Sequence, residues 1–179
     1  MKVDIKTYFF HLTYKYLFLS SLLLLSIISP AKAQERLVVS PQYLPLEANF
    51  CLLNGECVYL EVAESPREQR LGLMLRNSLP RLRGMYFPFN SSRKAKFWMY
   101  KTLSSLDMFF LSGETVVSII HDVPTCEFLP CKTYGPENVV DSVIETAAGE
   151  ANRLKIKIGD RIIINRIKPK LNNDHLSIP

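Results

Sequence analysis

The sequence predicts a mainly β (α+β) domain, barrel- or jelly-roll-like, with two short helices over an opening. Three observations carry that prediction. Short runs rich in β-branched and aromatic residues recur at regular spacing, each bounded by Gly, Pro, Asn or Ser turn signals. Only two stretches read as helices. The stretch from Gly84 to Leu111, GMYFPFNSSRKAKFWMYKTLSSLDMFFL, holds five of the ten phenylalanines, the only tryptophan and three of the five methionines. Apolar side chains that dense aggregate on a surface, so the stretch reads as the central strands.

Residues 34–45 carry two prolines and little periodicity, and read as a linker or a loosely docked strand. In CLLNGEC, Asn54-Gly55 is a hairpin signal. A two-residue loop there would put Cys51 and Cys57 on opposite faces. A three-residue loop, Leu53-Asn54-Gly55, pairs them directly, so a disulfide predicts that loop. Val58 to Ala63 is a strand. Ser65-Pro66-Arg67-Glu68 is a capping box with proline at the first helical position, opening a helix to about Arg76 with Leu71, Met74 and Leu75 buried. Gly72 falls inside that predicted helix, where it costs about 1 kcal/mol and admits a close backbone.

Gly84 to Phe89 reads as a strand and Asn90-Ser91-Ser92 as a turn. Lys94 to Lys101 is the next strand, with Ala95, Phe97, Met99 and Lys101 on one face and Lys96, Trp98 and Tyr100 on the other. Leu106 to Leu111 follows, with Asp107, Phe109 and Leu111 sharing a face. Gly113 turns the chain into Thr115 to His121. A long loop, 122–138, carries three prolines and two cysteines. Val139 to Thr146 is a strand, Gly149 to Ile156 a short helix, and Arg161 to Ile167 a last strand after a Gly159-Asp160 turn.

Four segments result: a leader over 1–33, an N-terminal segment and hairpin over 34–57, one β-rich domain over 58–167 and a polar tail over 168–179. Lys2, Lys6 and Lys15 precede the apolar run Leu17 to Ile28, and Ala31-Lys32-Ala33 supplies an A-x-A cleavage site. As a helix that run spans about 18 Å against a hydrocarbon core of about 30 Å, so it reads as a cleaved signal peptide and not a stable anchor. The expected location is exported: periplasmic, lumenal or extracellular. Without the leader the net charge falls from +5 to +2, with eighteen basic and sixteen acidic residues. No surplus is left to suggest nucleic-acid binding.

All four cysteines follow the leader, so disulfides are permitted. Spacing favours two local clips, Cys51–Cys57 and Cys126–Cys131, each contributing about 2 kcal/mol by chain entropy. The rival is a zinc site of all four cysteines, whose spacing is looser than zinc pairs normally show.

No G-x-G-x-x-G, P-loop, G-x-S-x-G or H-E-x-x-H motif occurs, and only His121 and His175 follow the leader. No metal or cofactor is expected. Lys101 and Asp107 are the charges at odds with their apolar strand faces. Five residues lie between them, so a hairpin would set them opposite each other. They read first as a structural ion pair and second as a pocket floor, with Asp107 accepting hydrogen bonds from a ligand. Trp98 shares a face with Lys96 and Tyr100, which suits a pocket wall. The methionines read as core filler.

Seven motifs now stand in order: RLGLMLR (70–76), GMYFPF (84–89), FWMYKT (97–102), LDMFF (106–110), TYGP (133–136), VIETAAG (143–149) and IKIGD (156–160). Together they resemble the domain-of-unknown-function 192 family from about Val58 to Ile167. The resemblance implies one β-rich, barrel- or jelly-roll-like domain and no established activity. Arg76, Gly84, Met85, Trp98, Thr102 and Asp107 match its pattern. The family pattern F-W-M-K-N-T is broken here: Tyr100 and Lys101 stand where lysine and asparagine are expected.

The functional expectation is an exported domain that binds a small polar or saccharide-like ligand, an envelope component for example, in a cleft near Trp98 and Asp107. The candidate binding residues are Arg76, Trp98, Lys101, Thr102 and Asp107. Two alternatives remain: an envelope hydrolase or lyase using Asp107, and a protein-interaction or assembly factor using the 122–138 loop.

Overall fold

The computed structural model describes residues 40–167. The expected leader over 1–33 and tail over 168–179 lie outside them. Strand content dominates, with two short helices, as the sequence predicts. The strands are β1 (Leu46–Cys51), β2 (Cys57–Val62), β3 (Arg83–Arg93), β4 (Phe97–Trp98), β5 (Leu106–Ser112), β6 (Thr115–Val123), β7 (Thr133–Tyr134), β8 (Val140–Ala147) and β9 (Asn165–Arg166). The helices are α1 (Pro66–Leu71) and α2 (Glu150–Leu154).

Seven strands form one mixed sheet in the order β6-β5-β8-β3-β2-β1-β9, and β4 pairs with β7 apart from it. The sheet is not closed into a barrel. The chain after Ile158 nonetheless touches both edges. The Val116 N–H donates to Asp160 O at 2.9 Å, the Ile162 N–H donates to Glu114 O at 2.7 Å, and Asn165 and Arg166 pair with β1. That crossing is why the predicted last strand, Arg161 to Ile167, shrinks to two residues.

The β1–β2 hairpin has the predicted three-residue loop. Cys51 pairs with Cys57, Leu52 N–H reaches Glu56 O at 2.8 Å, and Gly55 sits in the left-handed region at φ +88°. Cys51–Cys57 and Cys126–Cys131 are both disulfides, which leaves no thiolate for the zinc alternative. The capping box at Ser65 and Glu68 also forms.

Helix α1 is shorter than expected. Gly72 is its C-cap at φ +46°, a conformation glycine adopts without a Cβ penalty, so it ends the helix and does not sit inside it. The chain then turns through Leu73 and Met74, both buried. Strand β3 runs through the predicted turn at Asn90-Ser91-Ser92 as an irregular stretch between Pro88 and Arg93.

The large sheet separates two apolar clusters. One joins Phe50, Leu60, Phe109, Leu111 and Ile144 to Ala151 and Leu154 of α2. The other joins Met85, Phe87, Met99, Met108, Phe110 and Val143. Strand β5 feeds both, which explains why LDMFFL is buried on its two faces and reads as a continuous apolar run.

Candidate functional site

The four central strands leave one acid in a place the sequence reading overlooked. Glu145 lies on β8 between Met85 of β3 and Met108 of β5. Alternation puts its side chain on the face of Val143 and Ala147, inside the second cluster. Gly84, one residue before Met85, lets β3 approach there: a Cβ on Gly84 would lie 2.7 Å from the Glu145 carbonyl oxygen.

Glu145 is 4% exposed, and burial pushes its carboxyl up from 4.5 to about 8. It opens onto a cavity of about 30 Å³ lined also by Met74, Phe87, Phe97, Trp98 and Thr102. Thr102 is 8% exposed. Among the described residues, neither the Glu145 carboxyl nor the Thr102 hydroxyl has a hydrogen-bond partner. Every fully buried side-chain nitrogen and oxygen among the described residues has one, so these two groups keep some surface open to solvent, and both residues line the cavity.

The walls are held by backbone. The Leu75 N–H donates to Lys101 O at 2.8 Å, Lys101 N–H to Cys126 O at 2.8 Å, and Cys126 N–H to Met99 O at 3.1 Å. Thus the second disulfide loop clamps the 99–102 turn, which abuts the 72–75 turn. Phe97 packs edge-on against Phe87 at 5.1 Å and Phe110 at 6.2 Å. Trp98, 41% exposed, stands at the mouth with Tyr100 at 5.5 Å. Thr102 also lines a second groove, of about 540 Å³, with Leu75, Lys101, Leu103, Thr125, Glu127 and Phe128.

The sequence candidates therefore divide. Trp98 and Thr102 share the cavity, and Thr102 and Lys101 share the groove. Asp107 lines neither. By alternation it projects on the Phe109 and Leu111 face, across the sheet from Glu145. It is 0% exposed, and it accepts from Asp122 N–H and Ala151 N–H, both at 2.9 Å. The first donor belongs to a bulge in β6 opposite Asp107, and the second to the first turn of α2, whose N-cap Gly149 has no side chain. Asp107 is thus a structural cap.

Nor do Lys101 and Asp107 form the expected ion pair. The predicted strand 94–101 keeps only Phe97–Trp98, which pairs with β7, while β5 lies between β6 and β8. Lys101 turns away at φ +56° with its ammonium 5.3 Å from the Tyr100 ring. Arg76 is also committed elsewhere. It is buried, makes a two-pronged pair with Glu61 at 2.7 Å for each bond, and lies 4.5 Å from the Tyr43 ring.

The φ of Lys101 bears on the family departure. Asparagine enters the left-handed region more readily than other non-glycine residues. The asparagine expected there has a conformational reason apart from any ligand. Lys101→Asn is expected to raise stability by about 1 kcal/mol in urea unfolding; a loss would assign the lysine a role that its backbone does not explain.

Glu145 had a legible signal. In VDSVIETA, Val143, Glu145 and Ala147 share a face, so an acid stands between two apolar residues. That is the test that singled out Asp107.

Comparisons with known proteins agree on the fold. A model of the DUF192 family, Uncharacterized ACR, matches residues 52–164. A UPF0127 protein of Pyrococcus abyssi (strain GE5 / Orsay) is 31% identical over 103 residues, covering 58% of this chain and 83% of that protein. A crystal structure of a putative transcription regulator from Sinorhizobium meliloti 1021 is similar with a TM-score of 0.60 and 25% identity, over 70% of this chain and 97% of that one. A protein of unknown function from Novosphingobium aromaticivorans DSM 12444 is similar with a TM-score of 0.60 and 27% identity, over 70% of this chain and 94% of that one.

Proposed function

Starting from the fact that the chain belongs to the uncharacterized DUF192 family, we propose that it is an exported domain binding a small polar ligand at the Trp98–Thr102–Glu145 cavity. One observation carries the reading: Glu145 and Thr102, residues each more than nine-tenths buried and with no side-chain hydrogen-bond partner among the described residues, line one cavity. Both groups are open to solvent through the cavity, so a ligand gains by offering better-placed partners than water does.

Size limits the ligand. About 30 Å³ is room for roughly two waters. A sugar ring does not enter, but a head group does, with the remainder lying outside against Trp98. Export is part of the same reading, supported by the leader pattern and by two disulfides. The hydrolase or lyase alternative loses its support at Asp107, whose oxygens are engaged by amides on the other face.

A thermal-shift screen of envelope sugars and peptidoglycan fragments tests the proposal. A ligand at 100 times its dissociation constant adds about 2.7 kcal/mol, and the gain should vanish in Trp98→Ala and Glu145→Gln. Stabilisation that survives both substitutions would overturn the site.

A second reading, a protein contact at the Cys126–Cys131 loop, has its own support. Phe128 is 77% and Leu129 58% exposed there. A screen without hits moves the weight to that surface.

A further inference from the structure

We propose that the cavity between Glu145 and Thr102 receives a primary ammonium group carried by a small amine. This rests on the reading of the cavity as a ligand site and adds the class of ligand. The carboxyl has no cationic partner among the described residues; Met85 and Met108 flank it on the neighbouring strands. A buried carboxyl without a counter-charge is completed by a ligand that brings one. The Thr102 hydroxyl adds an acceptor for a second N–H, and Phe87, Phe97 and Trp98 supply aromatic walls that favour a cation.

Size selects among cations. An ammonium head is about as large as a water, which the 30 Å³ cavity admits. A quaternary ammonium, with four carbons around nitrogen, exceeds it. An anion meets the opposite balance: its charge would be buried in the same apolar surroundings that hold Glu145 protonated, with one carboxyl proton and one hydroxyl as donors. Arg70 is the other titratable residue lining the cavity, and it carries a positive charge. It is exposed, so water and salt screen it.

Binding of an ammonium requires the carboxylate. Below the Glu145 midpoint of about 8, each bound ligand should therefore displace about one proton. Affinity should rise about tenfold from pH 6 to pH 7 and level off above the midpoint.

The test uses n-propylammonium chloride, with 1-propanol, sodium propionate and tetramethylammonium chloride as comparisons at equal ionic strength. Calorimetry at pH 7 in two buffers of different ionisation enthalpy counts protons. The proposal expects binding of propylammonium alone, release of about one proton, loss of binding in Glu145→Gln and several-fold weakening in Thr102→Val. Equal or tighter binding of propanol or propionate, or propylammonium binding that Glu145→Gln retains, overturns it. If no probe binds but an envelope fragment stabilises the protein in a Glu145-dependent way, the ammonium class falls and the site stands. If nothing depends on Trp98 or Glu145, both fall.

Discussion

Glu145→Gln is expected to make the protein more stable, and more so as pH rises. Wild-type Glu145 holds its proton to about pH 8 in the folded chain, against 4.5 for an ordinary glutamate. The folded state therefore binds the proton more tightly than the unfolded one. Stability from this group is fully present below about 4.5, is lost as pH rises toward 8, and falls no further above that. Glutamine keeps the size of the side chain and removes the titration. The gain should be small at pH 4.5 and on the order of a few kcal/mol at pH 9, a shift of roughly 10 °C in thermal midpoint. The other perturbed carboxylates act oppositely: Glu56, Glu68, Glu137 and Glu150 are all lowered, first by hydrogen bonds, and weaken the fold when protonated in acid. They are common to both proteins, so the difference between the two curves isolates Glu145. Parallel curves would mean that its carboxyl is hydrated or paired.

Asp107→Ala carries the second large effect, with opposite sign. It removes acceptors from Asp122 N–H and Ala151 N–H in a site with no exposure. Buried amides left unpaired cost about 1–3 kcal/mol each, and a lost helix cap about 1 kcal/mol. The expected loss is about 3 kcal/mol or more in urea unfolding, with the α2 amides exchanging faster with solvent. Asp107→Asn, which keeps one acceptor, should lose less and leave ligand response unchanged below its melting temperature. A folded Asp107→Asn protein that no longer responds to ligand would return Asp107 to the site.

These two acids show what the sequence made legible. The test for a charged residue on an apolar strand face singled out Asp107 and read it first as structural, but with Lys101 as its partner in place of two backbone amides. The separation of Lys101 from Asp107 suggested a hairpin, and both were assigned to one cleft with Trp98. In the fold, β5 takes β6 and β8 as neighbours, and the left-handed turn at Lys101 carries the preceding strand away to β7. Strand partners separated by long stretches of chain cannot be read from local spacing, and the face of the sheet follows from the partners. Local signals fared better. The Cys51–Cys57 pairing fixed a three-residue loop, and Ser65 with Glu68 fixed the start of α1. Trp98 read as a wall from its strand face and Thr102 came in through the family pattern alone, while Glu145, which lines the same cavity, comes from a strand more than forty residues later.

The central claim is that Glu145 is an unpaired buried acid awaiting a partner in its cavity. NMR titration of its side-chain carboxyl, assigned by comparison with Glu145→Gln, tests that directly. The account expects a midpoint near 8 in the free protein and a clear fall on saturation with propylammonium. A midpoint near 4.5, unchanged by every ligand tried, would contradict it.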